Sequence, residues 1–324
     1  MQSLLSSGSL LPILLRQRAT IYHFQDPQLL PVALALKIIL SKRIIYDAYE
    51  DFPSMVRNKR SIPRMMRPLL SKMIAGLERL AANCFDGVMT ADPFTLRRLA
   101  RAGKSRKLVF FNFPNLDFFP PPKDTPKKFD LVYRGGISAR AGSWILLDAM
   151  RLLADRGKMP TLLFIGYFDD SSFERALLGR IHSLGLAANV EFRGRMDHED
   201  MARALSEARI GVSPLQDTAK FRLNIPVKIF EYWACGLPVV ASDLPPIRPF
   251  FRNVPAGILY QPASAAELAQ SIGWLLDHPQ IAARMGKQGR SAVTQRFNNE
   301  GEVRRLRHFV EWIVRKPENA VRRS

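Results

Sequence analysis

The stretch 226–243, PVKIFEYWACGLPVVASD, sets a lysine and a glutamate inside an apolar run. Lys228 and Glu231 are three residues apart, so they lie on one face of a predicted helix that begins near Pro226 and ends at Gly236. The residues after the glycine are few and β-branched, which predicts a buried parallel strand. A cation and a carboxylate at the start of such a helix, whose free N–H groups point toward a ligand crevice, suit a phosphorylated, polyhydroxylated ligand. The alternative is a helix with one surface ion pair.

A glycine turn, RGGISARAG, follows another predicted strand and leads into a helix. Gly135 and Gly136 permit a close backbone approach, the helix start offers N–H groups, and Arg140 adds positive charge. This combination predicts a pyrophosphate site. The spacing is not G-x-G-x-x-G, so the fingerprint of a nicotinamide-cofactor site is not met. A tight turn that simply requires glycine is the alternative.

Two more strand ends carry residues of the same kind. Gly166 ends the strand in FIGYF, and Arg195 and Met196 follow the strand in VEFRGRM, where a nucleobase would meet backbone groups. Because ligands of open parallel sheets bind at the carboxyl ends of the strands, all of these residues are expected at one crevice.

The elements that must position these residues alternate between strand and helix along most of the chain, which predicts parallel α/β sheets. The alternation is interrupted once, by a segment rich in proline and charge that reads as an interdomain linker. The predicted organisation is two Rossmann-like, doubly wound domains that face one another across a cleft. Their limits are 1–118, a linker at 119–128, 129–297, and a final helix at 298–324 that crosses back to the first domain. Strands are expected near residues 19–24, 43–47, 87–90, 107–111, 130–133, 161–165, 189–192, 210–212 and 238–241.

Charge is unevenly distributed along the 324 residues. The net charge is +19, of which residues 1–123 contribute +11. The densest basic run is 57–80, where Met65, Met66, Leu69, Leu70, Met73, Ile74 and Leu77 form an apolar stripe at helical spacing. Such a segment is expected either to lie on anionic lipid or to be an ordinary core helix with a basic rim. Interleaved aromatic residues and nucleic-acid motifs are missing from the sequence, so a nucleic-acid partner is not expected.

Several classes of protein are excluded by composition. A mean hydropathy of −0.08 argues against a multispanning membrane protein. Cys84 and Cys235 lie in apolar helical patterns and are expected to be small core residues, which fits a reducing cytoplasm. His182, His198, His278 and His308 have no spacing typical of metal ligands, and no Asp-x-Asp pair is present. The opening residues lack a signal-peptide pattern and predict a helix that precedes the first strand.

Three segments carry a resemblance to a known family. KIFEYWACGLPVVASD, GILYQPASAAELAQSI and RFNNEGEVRRLRHFVEWI resemble retaining glycosyltransferases related to sucrose and glycogen synthases. The first domain resembles the subgroup of cell-surface polysaccharide synthesis through YHFQDPQLLP, RIIYDAYEDFP and FDGVMTADP. The resemblance covers nearly the whole chain and implies the GT-B fold. It also implies that Glu231 accepts hydrogen bonds from the ribose hydroxyls of a nucleotide-sugar donor, that Arg140 and Lys228 clamp the pyrophosphate, and that no metal or other cofactor is needed.

The sequence departs from the family pattern on the donor-sugar and acceptor sides. Leu223 stands where relatives carry a second glutamate, and Asn224 is the nearest polar replacement. Gln25 and Tyr49 stand where relatives commonly have histidines. His23 and Asp26 remain as candidates that face the acceptor, with a buried structural histidine as the alternative for His23. Relatives also carry several dozen residues before YHFQDP, so the first domain is expected to lack its first strands.

The predicted function is transfer of a sugar, with retention, from a nucleoside diphosphate donor to a lipid-linked or polysaccharide acceptor in cell-surface glycan synthesis, including lipopolysaccharide. The alternative is a non-catalytic subunit that keeps only nucleotide-sugar binding. The predicted location is the cytoplasm, peripheral on the inner face of the cytoplasmic membrane.

Overall fold

The computed structural model describes residues 12–59, 61–99, 105–122 and 125–315. Contacts between residues divide the chain into two compact units. Unit 1 contains residues 1–112 and 302–324, and unit 2 contains residues 113–301. The predicted α/β class is confirmed, since each unit is built on a parallel sheet.

Unit 1 has a four-stranded sheet in the order β1-β2-β3-β4, and every neighbouring pair is parallel. Helices fill the connections between the strands. The strands are β1 Ile21–Phe24, β2 Arg43–Ala48, β3 Gly87–Thr90 and β4 Arg106–Val109; the α-helices between β1 and β4 are α1 Leu30–Ile38, α2 Phe52–Asn58, α3 Arg67–Cys84 and α4 Pro93–Leu99.

The final helix, Asn299–Arg315, packs mainly on the sheet of unit 1. Its Phe309 and Ile313 are buried in a cluster with Ile45 of β2 and Met89 of β3. The approach is close at Gly87, where a Cβ atom would lie 2.6 Å from Ile313. A glycine at the start of β3 therefore makes room for this helix.

Unit 2 has a six-stranded parallel sheet in the order β10-β9-β8-β5-β6-β7. The chain runs outward from β5 to β7, returns to the other side of β5, and runs outward again from β8 to β10. This is the doubly wound pattern, and its switch point lies between β5 and β8. The strands are β5 Phe129–Arg134, β6 Leu162–Ile165, β7 Val190–Arg193, β8 Ala208–Ser213, β9 Val239–Ser242 and β10 Gly257–Tyr260; the helices are α5 Ser143–Ala154, α6 Ser171–Ser183, α7 His198–Ser206, α8 Lys228–Ala234, α9 Arg248–Asn253, α10 Ala265–Asp277 and α11 Pro279–Gln295, so the final helix is α12.

The proline-rich segment after β4 is more firmly packed than its composition indicates. Phe113 is buried among the rings of Phe230, Phe250 and Phe297. Phe119 is 2% exposed, and its carbonyl accepts a hydrogen bond from Arg290 at 2.7 Å. The change of unit lies at 112/113, so these aromatic anchors pack within unit 2, and the linker at 119–128 stays a prediction.

The nine predicted strands are present with bounds that differ by at most two residues, and β10 was not predicted. The predicted helix at 226–236 begins at Lys228, because Pro226 and Val227 only supply carbonyls to its first turn. Gly236 follows this helix with φ of +71°, as the C-cap prediction requires. Within the basic run 57–80, the helix begins at Arg67. Within the residues that the structure describes, no helix combines the length and the apolar character needed to cross a membrane.

Candidate functional site

The candidate site lies in unit 2, where β5 and β8 separate at their carboxyl ends. Tyr232 of α8 joins the two strands there: its hydroxyl donates to the carbonyl of Val212 at 3.2 Å and accepts from the N–H of Arg134 at 2.8 Å. Its ring sits over Gly211, where a Cβ atom would lie 2.4 Å away. The buried tyrosine therefore sets α8 against the switch point of the sheet.

Two glycine turns pack against each other at this edge. A Cβ atom on Gly166, whose φ is +149°, would lie 2.0 Å from the carbonyl oxygen of Gly135. Ile137 and Phe168 continue the contact as a parallel bridge beyond the strands. No side chain fits between these backbones, so glycine is required at position 166 for this approach.

Lys228 is buried beside the first of these turns. Its Nζ lies 4.1 Å from the ring centroid of Tyr133 and would lie 3.2 Å from a Cβ atom on Gly135. Burial, together with the nearby charge of Arg134, lowers the Lys228 pKa from 10.5 to about 7, although Glu231 opposes the shift. A cation desolvated in this way gains much from an anionic ligand that replaces its lost hydration.

Glu231 lies one turn further along α8 and is 4% exposed. Its Oε2 lies 3.2 Å from a guanidinium nitrogen of Arg134, the last residue of β5. The alternative of a surface ion pair at this helix is therefore wrong, since both Lys228 and Glu231 are buried. The site holds two cations around one carboxylate, which gives it a net positive charge.

Several backbone amides at the two predicted helix starts are already hydrogen-bonded within the chain. The N–H groups of Ile229, Phe230 and Glu231 donate to carbonyls of Pro226 and Val227. In the glycine turn, the N–H groups of Ala141, Gly142 and Ser143 donate to Ser138 and Ala139. The seven-residue α8 thus presents side chains to the site, while the amides of its first turn are already bonded.

Arg140 lies at the outer part of the same turn. Its side chain is 60% exposed and pairs with Asp169 at 3.0 Å. Gly136 is adjacent, since a Cβ atom there would lie 3.4 Å from the Asp169 carboxylate. Gly135, Gly136, Gly166, Lys228 and Glu231 are therefore brought together, with Arg140 at the rim.

The remaining predicted residues of unit 2 lie outside this cluster. Arg195 is exposed in the loop after β7, and Met196 beside it is half-buried. Asn224 is exposed in the segment before α8, where its N–H donates to the Lys220 carbonyl at 3.0 Å. Their predicted roles stay predictions.

His23 and Asp26 belong to unit 1, at and just after the end of β1. His23 is exposed, and its Nε2 lies 3.5 Å from Oδ2 of Asp47. Gln25 donates to the same carboxylate oxygen at 3.2 Å. Asp26 is exposed and close enough to Tyr49 to contribute, after burial, to the raised pKa of that phenol. The alternative of a buried histidine is wrong for His23.

Sequence reasoning missed four residues of these sites: Arg134, Tyr133, Tyr232 and Asp169. The position of Arg134 carried a signal, because it precedes the glycine pair at a strand end, where ligands of parallel sheets bind. Tyr133 and Tyr232 carried none, since a buried tyrosine in an apolar run looks like any other core residue.

Residues 128–278 match the family described as Glycosyl transferases group 1. The match covers the greater part of unit 2 and less than half of the whole chain. The two parallel-sheet units are those of the GT-B fold, as in the crystal structure of Anabaena HepE in complex with UDP, which matches with a TM-score of 0.76 and 16% identity over 94% of this chain and 82% of that chain.

Two curated relatives are glycosyltransferases. The D-rhamnosyltransferase WbpZ of Pseudomonas aeruginosa is 25% identical over 76% of this chain and 62% of its own length. A phosphatidyl-myo-inositol mannosyltransferase of Mycobacterium leprae is 29% identical over 48% of this chain and 38% of its own length. The chain thus spans less than two thirds of either relative.

Proposed function

We propose that this protein is a glycosyltransferase that moves a sugar from a nucleoside diphosphate donor to a lipid-linked or polysaccharide acceptor in cell-surface glycan synthesis. The observation that carries the proposal is the group formed by the buried Lys228 and Glu231 and the half-buried Arg134 at the switch point of unit 2. The relatives that transfer rhamnose and mannose support the class of reaction. Retention of the anomeric configuration is proposed on the family resemblance of the 226–243 segment.

Each charged residue of the site contacts a different part of the donor. Lys228 and Arg134 attract the diphosphate and, with Arg140 at the rim, neutralise the charge that grows on it as the bond to the sugar breaks. The Glu231 carboxylate accepts from the vicinal hydroxyls of the ribose while Arg134 holds it in place. In this proposal the protein supplies the positive charge itself, so no metal is needed. Asn224 serves the donor sugar, and His23 and Asp26 serve the acceptor.

Donor binding is tested by titrating UDP, GDP and their sugars into the purified protein in the presence of EDTA. Glu231→Ala is expected to weaken nucleotide-sugar binding by about 1.5–3 kcal/mol, the scale of a hydrogen bond to a charged group. Glu231→Gln is expected to weaken nucleotide-sugar binding less than Glu231→Ala, because one acceptor oxygen remains. Glu311→Ala, which changes an exposed glutamate of α12, is the control.

The outcomes separate the two candidate functions. Unchanged donor affinity in Glu231→Ala contradicts the assignment of this residue. Donor binding without any transfer to a lipid-linked acceptor contradicts the enzyme and favours a nucleotide-sugar-binding subunit.

We also propose that unit 1 rests on an anionic membrane surface through the start of α3. Met65, Leu69 and Met73, at 93%, 63% and 61% exposed, form an apolar surface there rather than a core stripe. Arg64 and Lys72 are exposed beside them. Arg57 donates to Ser71, and Arg60 lies outside the described residues. Each cation near an anionic surface adds about 1 kcal/mol.

Co-sedimentation with vesicles tests this surface. The protein is expected to bind anionic vesicles more tightly than neutral ones, less tightly in high salt, and several-fold less tightly when Leu69 and Met73 are both changed to Gln. Leu178→Gln, which alters an exposed leucine of unit 2, is the matched control. Binding that ignores lipid charge, or that survives the double change, contradicts the proposal.

A further inference from the structure

A cavity lies at the edge of the unit 2 sheet where the strands begin, opposite the edge that carries the candidate donor site. Arg209 and Ile210 at the start of β8, and Leu237 and Pro238 just before β9, form its floor. Its volume is about 530 Å³, within the range of cavities that bind small organic molecules. Neither Lys228, the first residue of α8, nor Glu231 lines this cavity, so the cavity is separate from the candidate donor site.

The interior of the cavity is apolar. Leu275 and Leu276 from the end of α10 and Ala282 and Ala283 from α11 face it. Cys235 also lines it, and burial raises the pKa of this thiol to about 12, so it contributes a neutral group. A ligand body that fills this space must therefore be largely hydrophobic.

Cations surround the apolar part. Lys127, Arg209, Lys287 and Arg290 line the cavity, and none of the described lining residues carries a carboxylate. Arg209 is partly compensated by Asp130 at 3.4 Å. Lys287 is exposed and has neither an ion pair nor a hydrogen bond to any residue that the structure describes.

Arg290 lies deepest among these cations. Its guanidinium donates to the carbonyls of Phe119 and Ala234, and burial lowers its pKa. The carbonyls orient this guanidinium but do not neutralise its charge, so a positive potential extends into an apolar space. That combination is complementary to an anionic head on an apolar body.

We propose that this cavity binds a small amphipathic monoanion, such as a medium-chain fatty acid, with its alkyl chain between α10 and α11 and its head at Lys287 and Arg290. The proposal rests on the shape and charge of unit 2 alone and holds whether or not the protein transfers sugars.

The test uses calorimetric titration of the full-length protein with sodium decanoate, and with decanol as the neutral probe. Decanoate is expected to bind, and decanol to bind at least tenfold more weakly, because only the anion uses the cationic rim. Saturating UDP or GDP is expected to leave decanoate affinity unchanged, since the two sites are at opposite edges of the sheet. Equal binding of decanol, competition by either nucleotide, or no decanoate binding at millimolar concentration overturns the proposal.

Two substitutions on α11 locate the ligand. Lys287→Gln is expected to weaken decanoate binding about threefold to fivefold, the range for an exposed charge pair. Arg284→Gln changes an exposed cation outside the cavity and is expected to leave decanoate binding unchanged. Ala283→Trp fills the cavity from an exposed position and is expected to abolish binding. Equal effects of Lys287→Gln and Arg284→Gln overturn the proposal, as does an Ala283→Trp protein that unfolds like wild type and still binds decanoate with unchanged affinity.

Discussion

The carboxyl edges of the two sheets are built differently. In unit 2 the strand order reverses between β5 and β8, and Lys228 and Glu231 of α8 are buried at that point. In unit 1 the described strands follow one another in chain order without a reversal, and His23, Gln25 and Asp26 are exposed at their edge. A reversal opens a crevice in which side chains can be desolvated, whereas consecutive strands leave the same edge open to water.

This difference determines how much each edge can contribute to binding by itself. Charges in the unit 2 crevice are fixed by Tyr133, Tyr232 and the two glycine turns, so they are preorganised for a ligand. In the pair of His23 and Asp47, the His23 side chain is 44% exposed, so water screens their interaction. Nucleotide binding is therefore expected to depend on unit 2 and to be insensitive to changes in the unit 1 edge.

The largest expected effect is structural and concerns Gly166. Gly166→Ala forces a methyl group against the carbonyl of Gly135 and is expected to lower the free energy of unfolding by about 3 kcal/mol and to remove nucleotide binding. The comparison is Gly179→Ala in α6, where no atom lies within 4 Å of the added Cβ and a gain of about 0.5–1 kcal/mol is expected. Urea unfolding followed by circular dichroism measures both. Similar stabilities in the two variants contradict the close approach of the turns.

The next effect is the pH dependence set by Lys228. With a pKa of about 7, this lysine is charged below neutral pH and loses its proton as the pH rises, whereas in the unfolded chain it stays charged up to about pH 10.5. Affinity for UDP or GDP is therefore expected to fall toward tenfold per pH unit above pH 7, and binding takes up a proton. Between pH 7 and 10.5 the same group makes the folded state more stable with rising pH, because the unfolded state binds more protons there.

Two variants sharpen this prediction. Lys228→Met is expected to bind nucleotide weakly with little pH dependence between pH 7 and 9. Arg134→Gln removes a repulsive charge, so the midpoint of the pH profile is expected to move upward. A profile that is the same in wild type and Lys228→Met shows that another group titrates.

A smaller effect is expected at the rim. Arg140→Ala is expected to lower the affinity for UDP or GDP about fivefold or less, because the side chain is 60% exposed and already paired with Asp169. The affinities for the free nucleoside diphosphate and for the full donor are expected to fall by the same factor, since the contact is to phosphate. Arg140→Lys is expected to recover part of the loss, because a point charge replaces a two-pronged donor. The control is Arg151→Ala, which changes an exposed arginine of α5. An equal loss of nucleotide affinity in that variant contradicts a specific role of Arg140 at the phosphates.

The smallest expected effect on nucleotide binding comes from unit 1. His23→Ala is expected to leave UDP and GDP affinity unchanged within error while lowering the rate of transfer, because we propose that this residue serves the acceptor. Asp47→Asn is expected to act in the same direction through the position of the imidazole. A loss of nucleotide affinity in either variant breaks the contrast between the two edges.

Much of this fold and site was predictable from the sequence. Alternating apolar patterns predict parallel strands, and strands of one parallel sheet end at one edge, so Gly135, Gly166, Lys228 and Glu231 were expected together and are found together. The helix limits were less predictable. Pro226 was predicted to lie in the first turn of α8, but it precedes the helix, and its carbonyl accepts a hydrogen bond from Ile229. β10 was missed because GILY is a short apolar run, ambiguous by periodicity alone.

What the sequence by itself determined is the order of elements and the set of charged residues at the strand ends, since both follow from local spacing. Only the tertiary structure decided how those residues behave. The desolvation of Lys228, its contact with Tyr133 and the pairing of Arg134 with Glu231 depend on groups from β5 and α8 that are nearly one hundred positions apart. The exposure of Met65 and Leu69 is also a tertiary result, because the same apolar stripe is compatible with a core or a surface until its neighbours are in place. Burial and electrostatic coupling are sums over spatial neighbours, and sequence spacing specifies those only within a single element.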